Sequence, residues 1–263
     1  MKAWWRTFTT LVSVNYAYML EYRAELYLWA LSGVMPFFLM GLWTQASASG
    51  HLAQDPIAFA RYFLAVFVVR QITIVWVVWE VENDVVTGRM APYLLQPIDP
   101  FWRYFAGHVG ERLARLPFIV GLIILFFCLY PKAFYVPSVK GVLAGSLAMA
   151  AAFVLRFVMQ YAFAMLTFWT ERANAIEDLF FMLYLFLSGF LAPLELFPAG
   201  VREFAMLTPF PYLVYVPAQL LIDGPVPEPG RAFAIMAAWT LVFILIYRVM
   251  WRAGLKRFSA MGA

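Results

Sequence analysis

Charge is scarce in this chain. Asp, Glu, Lys and Arg make up 13% of the 263 residues, while 64% are hydrophobic. A soluble domain carries roughly 25% charged residues. One soluble core cannot hide this much apolar surface, so lipid is the expected solvent. Cysteine is almost absent too. The single Cys128 excludes an intrachain disulfide, lies in an apolar run, and is expected to be a buried, inert thiol. The two histidines, His51 and His108, are expected in separate loops, which with one cysteine leaves no metal-ligand cluster. The net charge of +4 is spread along the chain, which argues against nucleic acid as a partner. There is no GxxxxGK(S/T) phosphate loop and no internal repeat. The N-terminal MKAWWRTF lacks the compact apolar region and cleavage site of a secretory signal.

What the chain does have is apolar runs of spanning length. Six are expected, at about 26–46, 57–79, 116–130, 142–169, 176–192 and 231–251. The third is short, so its helix is expected to begin near Gly110. Residues 1–24 place Trp4, Trp5, Phe8, Leu11, Val12 and Met19 on helical spacing, the pattern of an amphipathic helix lying in the headgroup region. Residues 193–229 hold eight of the sixteen prolines yet stay apolar. Prolines at 209, 211 and 217 forbid one continuous span, so two short helices dipping in from one side are expected, about Ala199–Leu207 and Tyr212–Ile222. The expected fold is therefore an all-α integral membrane domain over 1–263. It has six transmembrane helices, an N-terminal interfacial helix and a re-entrant helical hairpin before the last span.

Six spans put both termini on one side. On that side fall twelve of the nineteen Lys and Arg residues, with five opposite and Arg70 and Arg156 inside spans. The positive-inside rule then makes the termini cytoplasmic and the 193–229 hairpin external. The stretch 87–107 becomes a cytoplasmic loop in which Asp99-Pro100 is a helix start. Asp caps the first turn, and proline at the first helical position gives up an N–H that had no partner. A short helix showing Phe101, Trp102, Tyr104 and Phe105 should follow.

Two segments carry a family resemblance: LLQPIDPFWRYFAG at 94–107 and SGFLAPLELFPAGVREFAMLTPFPYLVYVPAQLL at 188–221. With the layout of the whole chain they resemble an ABC-2-type exporter permease, the first segment resembling the "LLRPL"-like loop of the daunorubicin and viologen exporter branch. The resemblance implies a transport subunit of a prokaryotic inner membrane, not itself an enzyme. It implies a partner ATPase chain carrying ATP and Mg, with no cofactor on this chain, and a second permease copy or a related permease as homo- or heterodimer. The substrate it implies is a lipophilic or amphipathic compound, with lipid-linked or polysaccharide export as the alternative. A membrane enzyme would need a polar catalytic cluster, and many secondary transporters show an inverted repeat; neither pattern is present.

On this reading the helix from Asp99 is a coupling helix, with Leu94, Leu95, Pro97, Asp99, Phe101, Trp102 and Arg103 as its ATPase contacts. Arg70 and Arg156, at mid-span, and Glu195, at the outer mouth, are candidates for the pathway. A mid-membrane charge costs at least about 2.5 kcal/mol, so it is a functional candidate by default. Satisfaction within the bundle is the competing reading for the arginines, and a solvated loop carboxylate for Glu195. Glu80, Glu82, Asp84, Arg89, Glu171 and Arg172 are expected to form a cytoplasmic charge network, against plain interfacial charge. Apolar faces of the first and fifth spans, including Leu28, Met35 and Leu39 with Phe180, Phe181, Leu185 and Phe186, are expected to form a dimer seam.

Overall fold

A computed structural model describes residues 2–50, 54–170, 173–226 and 228–258, and every regular element in them is helical. Two N-terminal helices, α1 (Lys2–Glu21) and α2 (Arg23–Ser32), lead into α3 (Met35–Ala48). The expected second span is a broken helix: α4 (Pro56–Thr73) and α5 (Val77–Val86) separated by Ile74, Val75 and Trp76. The short α6 (Met90–Leu94) follows.

The expected coupling helix and third span prove to be one 30-residue helix, α7 (Pro100–Leu129). Its start is as read: the Asp99 side chain accepts the Phe101 N–H at 2.8 Å, and Pro100 occupies the first turn. No break intervenes before the apolar half. The two glycines at 107 and 110 are tolerated because α1 lies against them; a Cβ on Gly110 would sit 2.9 Å from the Tyr16 backbone nitrogen. His108 is therefore buried in a helix, not in a loop, while His51 lies outside the described residues. Cys128 is exposed on the outer face of α7, contrary to expectation, because the apolar run around it turns only part of its surface inward.

α8 (Val139–Ala164) and α4 form the centre of the bundle, and α12 (Pro229–Leu255) runs along α8. Among the described residues five segments are long and apolar enough to cross a membrane: Tyr27–Ala48, Pro56–Val86, Pro100–Leu129, Val139–Phe168 and Pro229–Leu255. The apolar stretch of Pro56–Val86 is 72% buried within the chain and that of Pro229–Leu255 only 6%, which separates the central element from the peripheral one. The expected fifth span is the 14-residue α9 (Asn174–Leu187). At 1.5 Å per residue it reaches only about 21 Å, short of the ~30 Å hydrocarbon core. It ends where Gly189 takes a φ of +82°, which few residues but glycine tolerate.

The proline-rich segment forms two short helices, α10 (Ala199–Leu207) and α11 (Tyr215–Leu221), joined through a 3-10 turn at Phe210–Leu213. α11 is buried against α8 and α4. Gly141 and Gly145, one turn apart on α8, allow this: a Cβ on Gly145 would meet Leu221 at 2.7 Å. Small residues at this spacing let helix backbones approach closely.

Candidate functional site

The site grows from the break between α4 and α5. The run Ile72-Thr73-Ile74-Val75 is β-branched throughout, which weakens helix propensity without glycine or proline. Ile74 takes an extended conformation (φ −62°, ψ 138°), so the helical ladder is interrupted in mid-bundle. Each backbone group freed there must find a partner, because lipid supplies none. α7 supplies them. His108 Nε2 accepts the Trp76 N–H at 3.0 Å, and Arg112 Nε donates to the Ile72 carbonyl at 3.1 Å.

These two side chains anchor a buried polar seam along α7. His108 Nδ1 lies 3.1 Å from the Tyr104 carbonyl and 3.6 Å from Glu80 Oε2. Arg112 also donates to the His108 carbonyl at 2.7 Å and pairs with Glu111 at 3.2 Å, its guanidinium lying 4.6 Å from the Phe153 ring centre. Arg115 pairs with Glu111 one turn away and donates to Gln71 Oε1 at 3.3 Å; Gln71 in turn donates to the Ala30 carbonyl at 2.9 Å. The seam therefore ties α2, α4 and α7 together. Sequence reasoning gave no role to Glu111, Arg112 and Arg115, which lie just past the expected helix start near Gly110. A charged cluster twelve residues after the Asp99 cap, with no proline between it and Pro100, was the available signal.

The residues of the expected charge network are placed as follows. Asp84 pairs with Arg89 at 3.0 Å and accepts the Tyr104 hydroxyl at 2.8 Å, while Glu80 joins the seam through His108. Glu82 is half-buried on α5. Glu171 and Arg172 lie outside the described residues.

The stretch 94–103 divides sharply. Phe101 is buried against Phe157, Tyr161 and Tyr247 (centroids 5.2–5.3 Å), so it does not offer a docking surface. Helical phase decides this: continuous with α7, Phe101 shares a face with Tyr104, His108 and Arg112. Trp102 packs edge-on to Trp4 of α1 at 5.0 Å, and Arg103 stacks over Tyr93 at 4.0 Å. Leu94 is half-buried. Leu95, 88% exposed, and Pro97 face outward, and Asp99 is committed to the cap.

Arg70 and Arg156 lie near one another, beside Arg115 and Tyr184. Their guanidinium groups stack over rings, Arg70 over Phe190 at 5.2 Å and Arg156 over Tyr184 at 4.6 Å. Glu195 is elsewhere, at the end of the bundle formed by the proline-rich segment. Its Oε1 accepts from Tyr215 and Gln219 at 2.6 and 2.7 Å, and Oε2 is buried without a hydrogen-bond partner. It stands between a cavity of about 670 Å³ under α10 and one of about 330 Å³ beside Arg61 and Tyr62. At the same end Asp223 accepts the Ser138 N–H at 2.7 Å and the Ser138 hydroxyl, and these donors hold its carboxyl below the usual range. Of the expected seam, Phe180 is buried, while Leu28, Met35, Phe181 and Phe186 are exposed and Leu39 and Leu185 half-buried.

A family model described as ABC-2 family transporter protein matches residues 29–262 of the chain. No curated protein matches it.

Proposed function

The chain belongs to the ABC-2 family of transporter proteins, and from that membership we propose that it is the permease subunit of an ATP-driven exporter, moving a lipophilic or amphipathic compound across a prokaryotic inner membrane. The observation that carries the reading is the family match over residues 29–262, on a chain whose described residues include five apolar segments of spanning length. The absence of a phosphate-binding loop from the sequence supports placing ATP and Mg on a separate chain.

Docking of that ATPase falls to the exposed Leu95-Gln96-Pro97 corner, flanked by Leu94, Asp99, Trp102 and Arg103. This corner lies in the short turn between α6 and α7, and α7 then runs unbroken from Pro100 past Arg115. Motion passed from the corner to the start of α7 would reach the α4–α5 break along one continuous helix. Glu195 and its cavities, at the opposite end, are the proposed exit. With the termini on the cytoplasmic side, the α10–α11 hairpin re-enters from outside and α9 completes a sixth, short crossing. Two copies, or this chain with a related permease, pair through the exposed faces of α2–α3 and α9.

Expression of the tagged permease with candidate ATPase chains from the same genome, followed by detergent purification, tests the reading. Stoichiometric recovery of an ATPase whose hydrolysis depends on the permease is the expected result. Recovery of the folded permease with no ATPase bound or stimulated would overturn it.

A further inference from the structure

Buried polar groups normally find partners, and a cluster of orphans needs a reason. Several of the buried orphans lie around Arg70 and Arg156. Nε of Arg70, Nε and Nη1 of Arg156, and the Tyr184 hydroxyl are all buried without a hydrogen-bond partner. Arg156 is 4% exposed and Tyr184 fully buried. Arg156, Tyr184 and Arg115 are all within electrostatic range of the Arg70 guanidinium. Arg115 gives Nη1 and Nη2 to Gln71 and Glu111, leaving only its Nε without a partner. The remaining groups are donors: two guanidinium groups, which are donors only, and a phenol that is free to donate.

Aromatic rings bound the cluster. Arg70 lies over Phe190, and Arg156 over Tyr184 and, at 5.6 Å, Phe180. Tyr184 stands between those rings, 6.0 Å from Phe180 and 5.7 Å from Phe190. Ring faces offset part of the cost of a buried cation but leave the in-plane N–H groups unsatisfied. A carboxylate is near among the described residues. Glu177 is within range of Arg156, but its Oε1 accepts Gln160 Nε2 at 2.7 Å and its Oε2 is bonded to nothing. α9 covers the guanidinium groups with Phe180 and Tyr184, and its other face, with Leu179, Met182 and Phe186, is exposed.

We propose that Arg70, Arg156 and the Tyr184 hydroxyl form an oxyanion site for the phosphate or carboxylate head of an amphiphile whose apolar chain extends past α9. The proposal rests on the permease reading and deepens it by naming the head-group chemistry of what the bundle holds. Guanidinium groups match an oxyanion with paired N–H donors, and low dielectric strengthens each bond. The chain is required because the approach to the site is apolar on the α9 side. Displacement of α9 opens the site.

The test is thermal melting of the purified full-length permease in phosphatidylcholine nanodiscs. Dodecyl phosphate should raise the melting temperature saturably; dodecyltrimethylammonium and inorganic phosphate should not. Arg156→Gln should melt no lower than wild type without the probe, because it removes an unpaired buried charge. It should need about tenfold more dodecyl phosphate for half-saturation. Tyr184→Phe, a smaller change that keeps the ring, should weaken the response several-fold and covers the case in which Arg156→Gln does not fold. No shift with dodecyl phosphate, an equal shift with dodecyltrimethylammonium, or a wild-type response in Tyr184→Phe would overturn the site. Nanodiscs containing phosphatidylglycerol separate the two sources of such a head. If a membrane lipid occupies the site, they raise the melting temperature and abolish the further response to dodecyl phosphate. If the exported compound does, the response persists. ATPase recovery is a separate measurement, so the site and the permease reading fail independently.

Discussion

His108 Nε2 accepts the backbone N–H of Trp76 at 3.0 Å, so a side chain of α7 completes a helix that α4 and α5 leave open. Arg112 does the same for the Ile72 carbonyl on the other side of the gap. A break inside an apolar span survives only where neighbouring helices satisfy it. The consequence is mechanical: α7 holds the two halves of the broken element in register while extending outward to the exposed corner at Leu95-Pro97.

His108→Ala should destabilise the permease, because it strands a buried N–H and leaves a void. A cost of about 1–3 kcal/mol is expected for the lost acceptor. Denaturation in mild detergent measures it, and a change within about 0.5 kcal/mol of wild type would mean that the break does not depend on His108.

Leu95 and Phe101 are six residues apart and should behave oppositely. Phe101→Ala should cost about 3–5 kcal/mol of stability, as a large buried ring does. Leu95→Asp, at an 88% exposed site, should leave the melting temperature unchanged and abolish ATPase recovery. Retained ATPase binding by a folded Leu95→Asp protein would remove this corner from the interface.

Asp84 discriminates its two partners by burial. Arg89 is 56% exposed, so the pair is screened, and a double-mutant cycle should give under about 1 kcal/mol. Tyr104 reaches the same carboxylate from a buried position. Tyr104→Phe should cost about 1.5–3 kcal/mol, the range for a hydrogen bond to a charged group. The reverse order would place the strength of the network on its surface.

Asp223 should give the end of the bundle formed by the proline-rich segment a pH dependence. Its folded pKa is depressed by the Ser138 donors, so the contribution is complete above the unfolded carboxylate value of about 3.9 and is lost as pH falls through the lower folded value. Comparison of wild type with Asp223→Asn should show a constant difference in melting temperature above about pH 5, shrinking in stronger acid. A difference that grows with acidification would reverse the assignment.

Topology is testable by thiol labelling, but only after Cys128, which is exposed, is replaced by serine. In intact cells Ala199→Cys should react with an impermeant reagent and Gln96→Cys should not. The opposite pattern would invert the orientation.

Composition alone determined that this chain belongs in lipid: an apolar sequence with 13% charge has no soluble alternative. Local chemistry determined the Asp99-Pro100 helix start and the bounds of α10, because caps and prolines act within a few residues. Arg70 and Arg156 were legible as mid-span charges for the same reason: depth follows from position along a run. The break at Ile74–Trp76 was not legible, since β-branching lowers helix propensity by only tenths of a kcal/mol and whether the helix yields depends on what waits across the gap. Nor was the inward turn of Phe101, which follows from the phase of a 30-residue helix rather than from its own neighbours in sequence. Tertiary structure decided that His108, Glu111, Arg112 and Arg115 form a buried seam, because only packing brings a helix start to the open backbone of another helix and makes charge in that place satisfiable.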